Sequence, residues 1–186
     1  MIDLNEIDNT WTLFLDRDGV INHEKYKDYI HNWAEFHFYE GAPEAIAVFA
    51  KRFGHIIVVT NQKGVGKGLT RLADLEEIHA NMSSEVKKAG GRIDAVYFCA
   101  DLDDNSPNRK PNPGMGLHAV KDHAGIDLGK AIMVGNTLSD MEFGRNLGVK
   151  TIFIPSTHPE VDPQDDRIDA VYPSLIGFAQ HLNKSA

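Results

Sequence analysis

At 186 residues, with 42% of them hydrophobic, the chain is long enough for one sizeable core and too apolar to be disordered throughout. Its formal net charge of −8 argues against general binding to nucleic acid or anionic membrane, both of which need a cationic face, but leaves room for a small phosphorylated metabolite held by local cations and a metal. The single cysteine, Cys99, excludes an internal disulfide and any thiolate-rich zinc cage. The opening Met1-Ile2-Asp3-Leu4-Asn5-Glu6 lacks the basic and apolar regions of a signal peptide, and no apolar run nears the roughly 20 residues of a membrane helix. A soluble, cytoplasmic, single domain over residues 1–186 is expected.

Short β-branched runs alternate with longer amphipathic ones, the pattern of βαβ units around a mainly parallel sheet. Residues 11–15 predict a first strand that ends at Asp16. Residues 41–53 predict a helix, with Pro43 and Glu44 in its first turn and Gly54 as its stop. Residues 56–60 form a continuous β-branched run, as a strand buried on both faces should. Thr70 is expected to cap a long helix reaching about Ala89, and 95–99 predict the third strand. Helices over 113–124, 139–147 and 174–182 and strands over 131–134, 151–154 and around 170–171 complete the reading. Right-handed crossovers would build from these a three-layer Rossmann-like α/β sandwich without a large cap domain, its ligand beyond the carboxyl ends of the strands.

The residues after each predicted strand carry the chemistry. Strand one is followed by Asp16-Arg17-Asp18-Gly19-Val20-Ile21-Asn22. Two carboxylates this close repel unless a cation lies between them, so they read as a divalent-metal site with one carboxylate free to act as nucleophile, or more plainly as an Asp-Gly turn. After strand two, Thr60-Asn61-Gln62-Lys63-Gly64-Val65-Gly66-Lys67-Gly68 offers a hydroxyl and backbone N–H groups to an anion. It is not a P-loop, because Asn61 stands where the first glycine should be and Gly68 where the magnesium-binding hydroxyl should be. After strand three, Arg109-Lys110 sit between prolines and suit recognition of phosphate, or merely balance Asp101, Asp103 and Asp104. After strand four, Asn136 and Asp140 face the same crevice as a hard-cation site, although Ser139 or Asp140 could equally be helix caps.

These four clusters in order resemble the haloacid dehalogenase superfamily of phosphohydrolases. Asp16 to Asn22, Thr60-Asn61-Gln62 and Arg109-Lys110-Pro111 are similar to the heptose 1,7-bisphosphate phosphatase branch, with histidinol-phosphate phosphatases as nearest relatives, over residues 12–154. The resemblance implies a magnesium-dependent phosphomonoester hydrolase acting through an aspartyl-phosphate on a sugar phosphate. The D-glycero-D-manno-heptose 1,7-bisphosphate is the first candidate substrate and histidinol phosphate the alternative. It implies Asp16 as nucleophile, Asp18 as general acid and base, and Thr60, Asn61 and Lys110 on the phosphate. Gln62, Lys63 and Arg109 fall on the rest of the substrate, and Asp16, Asp18, Asn136 and Asp140 around Mg2+.

Two departures from the branch are visible. Its Cys/His zinc loop is here 99–108, with one cysteine and no histidine, so no structural zinc is expected. Asn136 stands where the branch has an aspartate, which makes Asp140 the candidate for the missing charge. Residues 26–38, with Tyr29, Trp33 and Phe36, are either a flap over the site or a loop packed on the core. The histidines lack metal-ligand spacing and read as surface or core residues. A phospho-accepting receiver domain and a sugar-phosphate-binding domain without turnover remain as alternatives. The receiver would need Asp101 as its phosphorylated residue, and the order of Thr60 before Lys110 speaks against it. A small capless domain is expected to act as a monomer.

Overall fold

The computed structural model describes residues 2–184, so the reading of the amino terminus that begins at Met1 and the domain boundary at Ala186 fall partly outside them. Six strands run parallel in one sheet: β1 (Thr12–Leu15), β2 (His55–Asn61), β3 (Ala95–Cys99), β4 (Ala131–Gly135), β5 (Lys150–Phe153) and β6 (Ala170–Val171). Their order is β3-β2-β1-β4-β5-β6. The chain builds outward from β1 through β2 to β3, then returns to the other side of β1 to start β4. That reversal makes the carboxyl ends of β1 and β4 the switch point of the sheet, where Leu15 pairs with Val58 on one side and Val134 on the other.

Side-chain alternation divides the sheet into two cores. Leu13, Leu15, Ile56, Val58, Ile132 and Val134 pack on one face. There they meet α1 (Ala42–Phe49), α3 (Leu72–Lys88) and α6 (Leu175–Lys184). Phe14, Ile57, Val59 and Met133 pack on the other face, against α4 (Gly114–Asp122) and α5 (Leu138–Leu147). The strand interiors are buried on both faces, which is why they read as unbroken apolar runs rather than as alternation. Among the described residues no helix is long and apolar enough to cross a membrane.

Three local expectations change. The helix predicted to end at Phe53 ends at Phe49, and the chain turns so that Phe53 buries and the Gly54 N–H reaches the Trp11 carbonyl at 2.9 Å. Thr70 does not cap α3, because its hydroxyl is held by His31 Nδ1 at 3.0 Å and the helix starts two residues later. The glycine-rich segment after β2 contains a short helix, α2 (Lys63–Gly66), instead of an open anion cradle. The N–H groups of Val65, Lys67, Gly68, Leu69 and Thr70 bond to carbonyls of the same segment. Gly64 and Gly66 serve close packing: a Cβ at Gly66 would lie 2.0 Å from the Ala100 carbonyl oxygen.

The 26–38 segment divides in two. Phe36 is buried and stacks on Trp33 with ring centroids 5.0 Å apart, while Trp33 also packs on the core. Tyr29 instead lines a cleft beside Asp18, Asn61 and Gln62.

Candidate active site

The strand ends and the loop after β3 enclose an open cleft of about 510 Å³, whose lining includes Asp16, Asp18, Thr60, Arg109, Lys110 and Asp140. Asp16 leaves β1 with its N–H on the Val134 carbonyl at 2.9 Å, so β4 sets its position directly. Its Oδ1 accepts from the Arg17 N–H and from Lys110 Nζ, each at 2.8 Å. Lys110, only 4% exposed, also donates to Asp140 Oδ1 at 2.6 Å and to the Val59 carbonyl at 2.9 Å. All three ammonium protons are thereby used. Burial and the Asp140 charge raise the Asp16 carboxyl to about 7, against the pull of Lys110. Lys110 itself is held above the ordinary lysine range, because the Asp140 and Asp16 charges outweigh its burial.

Asp140 Oδ2 is equally occupied. It accepts from the N–H groups of Asn136 at 3.2 Å and Thr137 at 3.0 Å and from the Thr137 hydroxyl at 2.8 Å. This is a capping box: Thr137 is the N-cap of α5 and Asp140 its third residue, so the cap is neither Ser139 nor Asp140 alone. Gly135 permits the arrangement, since a Cβ there would lie 2.1 Å from the Asp140 Cβ.

Asp18 is gripped from the opposite side. One Arg17 nitrogen, Nη2, meets both of its carboxylate oxygens at 3.0 and 2.9 Å. Asn22 Nδ2 donates at 2.9 Å and Gln62 Nε2 at 2.8 Å. Although burial opposes it, the Arg17 charge and these hydrogen bonds hold the Asp18 carboxyl below the usual carboxylate range. Gln62 also donates to the Thr60 hydroxyl at 2.9 Å and is buried, so it joins Thr60 to Asp18 rather than standing at the rim. Asn61 braces the backbone of Lys110, accepting from its N–H at 3.0 Å and donating to its carbonyl at 3.1 Å. Lys63 and Arg109 converge at the cleft mouth on Asp104 Oδ1, at 2.7 and 3.1 Å. One Arg109 nitrogen, Nη1, is buried with no partner.

Around the two ion-paired groups, three carboxylates (Asp16, Asp18, Asp140) meet two cations (Arg17, Lys110), leaving one negative charge. Asn136 shows where a further cation fits. One end of its fully buried amide meets the Thr157 hydroxyl at 2.7 Å. The other end lies 3.1 Å from the Asp18 carbonyl oxygen and 3.3 Å from Asp16 Oδ2. A nitrogen there donates to both; an oxygen there makes three oxygens converge, which is tenable only around a positive ion. The Thr157 hydroxyl can donate or accept, so it accommodates either orientation. Octahedral magnesium binds oxygen at 2.0–2.1 Å, which puts neighbouring ligand oxygens about 2.9 Å apart, close to this spacing. The donor set therefore fits magnesium. Gly19, at φ +84°, passes so near Asn136 that any Cβ would overlap the amide.

Four contributors were not assigned roles from sequence. Arg17 and Asn22 lie in a motif that was read, while Thr157 and His79 gave no local signal. His79, on α3, accepts from Arg17 Nη1 at 3.1 Å. Burial, followed by the Arg17 charge, pushes it from 6.5 down to about 3. The unfolded chain takes up this proton as pH falls below 6.5 and the folded protein does not, so stability is full above that pH and declines toward pH 3. At about pH 5 the difference is roughly 2 kcal/mol. Between pH 7 and 5, His79→Leu is expected to lose roughly 2 kcal/mol less stability than the parent in urea unfolding; equal losses would refute the buried neutral imidazole.

A parallel sheet of this order, with aspartates after β1, a threonine after β2, a lysine after β3 and an oxygen-rich turn after β4, defines a haloacid-dehalogenase-type hydrolase. The HAD-hydrolase-like family matches residues 107–177. A D-glycero-alpha-D-manno-heptose-1,7-bisphosphate 7-phosphatase of Mycobacterium bovis is 35% identical over 170 residues, 91% of this chain and 90% of the relative. The D-glycero-beta-D-manno-heptose-1,7-bisphosphate 7-phosphatase of Pseudomonas aeruginosa is 36% identical over 143 residues, 76% of this chain and 79% of the relative. A crystal structure of D,D-heptose 1,7-bisphosphate phosphatase from B. bronchiseptica, complexed with magnesium and phosphate, superposes with a TM-score of 0.85 at 27% identity, covering 95% of this chain and 99% of that one. The chain belongs to the heptose-1,7-bisphosphate phosphatase family of the haloacid dehalogenase superfamily.

Proposed function

We propose that this enzyme removes the 7-phosphate of D-glycero-D-manno-heptose 1,7-bisphosphate with magnesium, through an aspartyl-phosphate on Asp16. The observation that carries the reading is the buried Asp16 held by Lys110 beside an oxygen cluster that fits a cation. The Asp16 carboxylate attacks phosphorus, and the C7 oxygen leaves with a proton that Asp18, ionised in the free site, takes up from the monoanionic substrate phosphate and passes on. Asp18 then takes a proton from the water that cleaves the intermediate, regenerating Asp16. Thr60 and Lys110 stabilise charge on the transferring phosphoryl oxygens. Asp16, the Asp18 carbonyl and Asn136 would hold magnesium, which would supply charge neutralisation between carboxylate and phosphate. Lys63 and Arg109 would meet the second phosphate, displacing Asp104, a reading supported by their shared pairing with that carboxylate. Asn61 and Gln62 serve this set by bracing Lys110 and Asp18. A cytoplasmic setting rests on the lone cysteine, and a monomeric single domain rests on the one six-stranded sheet without a large cap.

The test is phosphate release with magnesium from both anomers of the heptose bisphosphate and from histidinol phosphate. Multiple turnovers on a heptose bisphosphate, with kcat/KM about a hundredfold above histidinol phosphate, are expected. Preference for histidinol phosphate would overturn the substrate, and a single phosphorylation without turnover would favour the receiver reading.

Two metal predictions follow from the site. Asp140, with both oxygens engaged by Lys110 and the α5 cap, supports the site at one remove, and Asn136, with its oxygen turned to Asp16 and the Asp18 carbonyl, would offer a cation a neutral ligand. Hard cations prefer anionic oxygen, so Asn136→Asp is expected to lower the magnesium concentration for half-maximal rate about tenfold, with little change at saturation. An unchanged or raised requirement would remove Asn136 from the metal set. The loop 99–108 is fastened by Ser106, which donates to Asp101 and accepts from the Asn108 N–H at 3.3 Å, together with the pull of Lys63 and Arg109 on Asp104. Metal analysis of the purified protein is expected to show no stoichiometric zinc; one zinc per chain would contradict this account.

A further inference from the structure

Asp18 is held by a guanidinium that, among the described residues, is itself held at only one other point. Arg17 is fully buried. Its Nη2 faces the two Asp18 oxygens, its Nη1 faces His79 Nε2 at 3.1 Å, and its Nε has no partner. The Phe36 ring lies beside it, 6.0 Å from the guanidinium carbon, and offers no directional contact of comparable strength. The plane of the guanidinium is therefore defined by one carboxylate and one imidazole. His79 comes from the inward face of α3, beside Leu75, Ile78 and Met82, so the helix backbone fixes where that second anchor stands.

The anchor works only in one chemical form. An imidazolium would present a proton to a cation, whereas a neutral ring with its hydrogen on Nδ1 presents a lone pair at Nε2. The surroundings enforce neutrality, because the ring is buried against a permanent positive charge.

We propose that His79 is a positioning residue for Asp18, acting through Arg17. By accepting from Nη1 it fixes the orientation of the guanidinium, and the guanidinium, together with Asn22 and Gln62, sets the direction in which Asp18 points at the leaving oxygen. Without the acceptor, Arg17 keeps its charge beside Asp18 but pivots on a single contact, and Asp18, with Asn22 and Gln62 as its remaining fixed donors, is presented at a changed angle. Thr60 and the Lys110–Asp16 pair touch neither His79 nor Arg17 Nη1, so the attack itself is untouched. The inference rests on the reading of Asp18 as general acid.

The leaving group separates this role from a structural one. An alkyl phosphate needs a proton on the departing oxygen, whereas p-nitrophenolate leaves without one. The ratio kcat/KM ends at formation of the aspartyl-phosphate, so it reports this step alone when measured on heptose bisphosphate and on p-nitrophenyl phosphate. His79→Leu is expected to lower the alkyl value about tenfold and the aryl value less than about twofold. His79→Gln, which restores an acceptor oxygen, is expected to recover most of the alkyl value. Arg17→Lys, which keeps the charge and gives up the second anchor, should show the same split and carries the test if His79→Leu does not fold. Equal falls on both substrates in a folded variant, or no fall on either, would overturn the proposal. Asp18→Asn is the control: if it lacks the split, the acid role of Asp18 fails and the inference falls with it, whereas a split in Asp18→Asn alone removes only His79.

Discussion

Asp16→Asn is expected to lower magnesium-dependent phosphate release by at least about a thousandfold, because an amide cannot form the acyl-phosphate through which the reaction divides. Size is nearly unchanged, and Lys110 keeps its 2.6 Å contact with Asp140 and its bond to the Val59 carbonyl. Folding should survive for a further reason. Burial and the neighbouring Asp140 raise the Asp16 carboxyl to about 7, so its charged form is disfavoured in the folded protein. A carboxyl whose folded value is raised costs stability as pH climbs from its unfolded value through the folded one. Replacing it with a neutral amide removes that cost, and the metal-free variant should be no less stable than the parent at pH 8. Urea unfolding beside the phosphate assay checks both halves. Retention of more than a few per cent of activity would take the nucleophilic role away from Asp16.

Lys110→Met is expected to damage stability and rate together. The ammonium lies between two buried carboxylates at 2.8 and 2.6 Å, and among the described residues no other cation pairs with either. Removing one partner of a buried ion pair leaves an uncompensated charge, which typically costs about 3–5 kcal/mol. Out of the roughly 5–15 kcal/mol that holds a domain of this kind together, such a loss is large. Magnesium brings charge back to Asp16 and should recover part of it, so the deficit in urea unfolding should shrink when the metal is added. Phosphate release should stay about a thousandfold down even with magnesium, because the phosphoryl oxygens lose their lysine. A loss below about 1 kcal/mol without metal would mean that the two carboxylates are not charged together in the resting protein.

The contrast between these residues and their neighbours shows what was legible beforehand. The strands could be read because burial on both faces requires continuous runs such as 56–60 and 131–134, and each is found with its core residues at 0% exposure. Asp16, Asp18, Thr60 and Lys110 could be gathered because a parallel sheet presents the residues after its strands at one edge, and these four do line one cleft. Helix ends were read less well. Thr70 has the right chemistry for a cap, yet a histidine from a distant loop takes its hydroxyl. The glycines after β2 have the composition of an anion loop, yet Gly64 and Gly66 are there so that Tyr29 and Ala100 can approach, and Gly68 takes a left-handed turn at φ +71°.

Composition, strand pattern and four short clusters were sufficient for the class of fold, the family and the residues gathered at the cleft, since all of these depend on chemistry within a few positions along the chain. The directions of the side chains were not accessible in that way. That Gln62 turns inward to Asp18, that Asn61 clamps the backbone of Lys110, that Asp140 gives one oxygen to a lysine, and that Thr157 meets the buried Asn136 amide are decided by groups 21 to 49 residues away along the chain. The Arg17–His79 contact spans 62 residues, and nothing in either local sequence marks it. A buried polar atom must take whichever partner the packed helices and strands bring within about 3 Å, and only the assembled fold determines which partner that is.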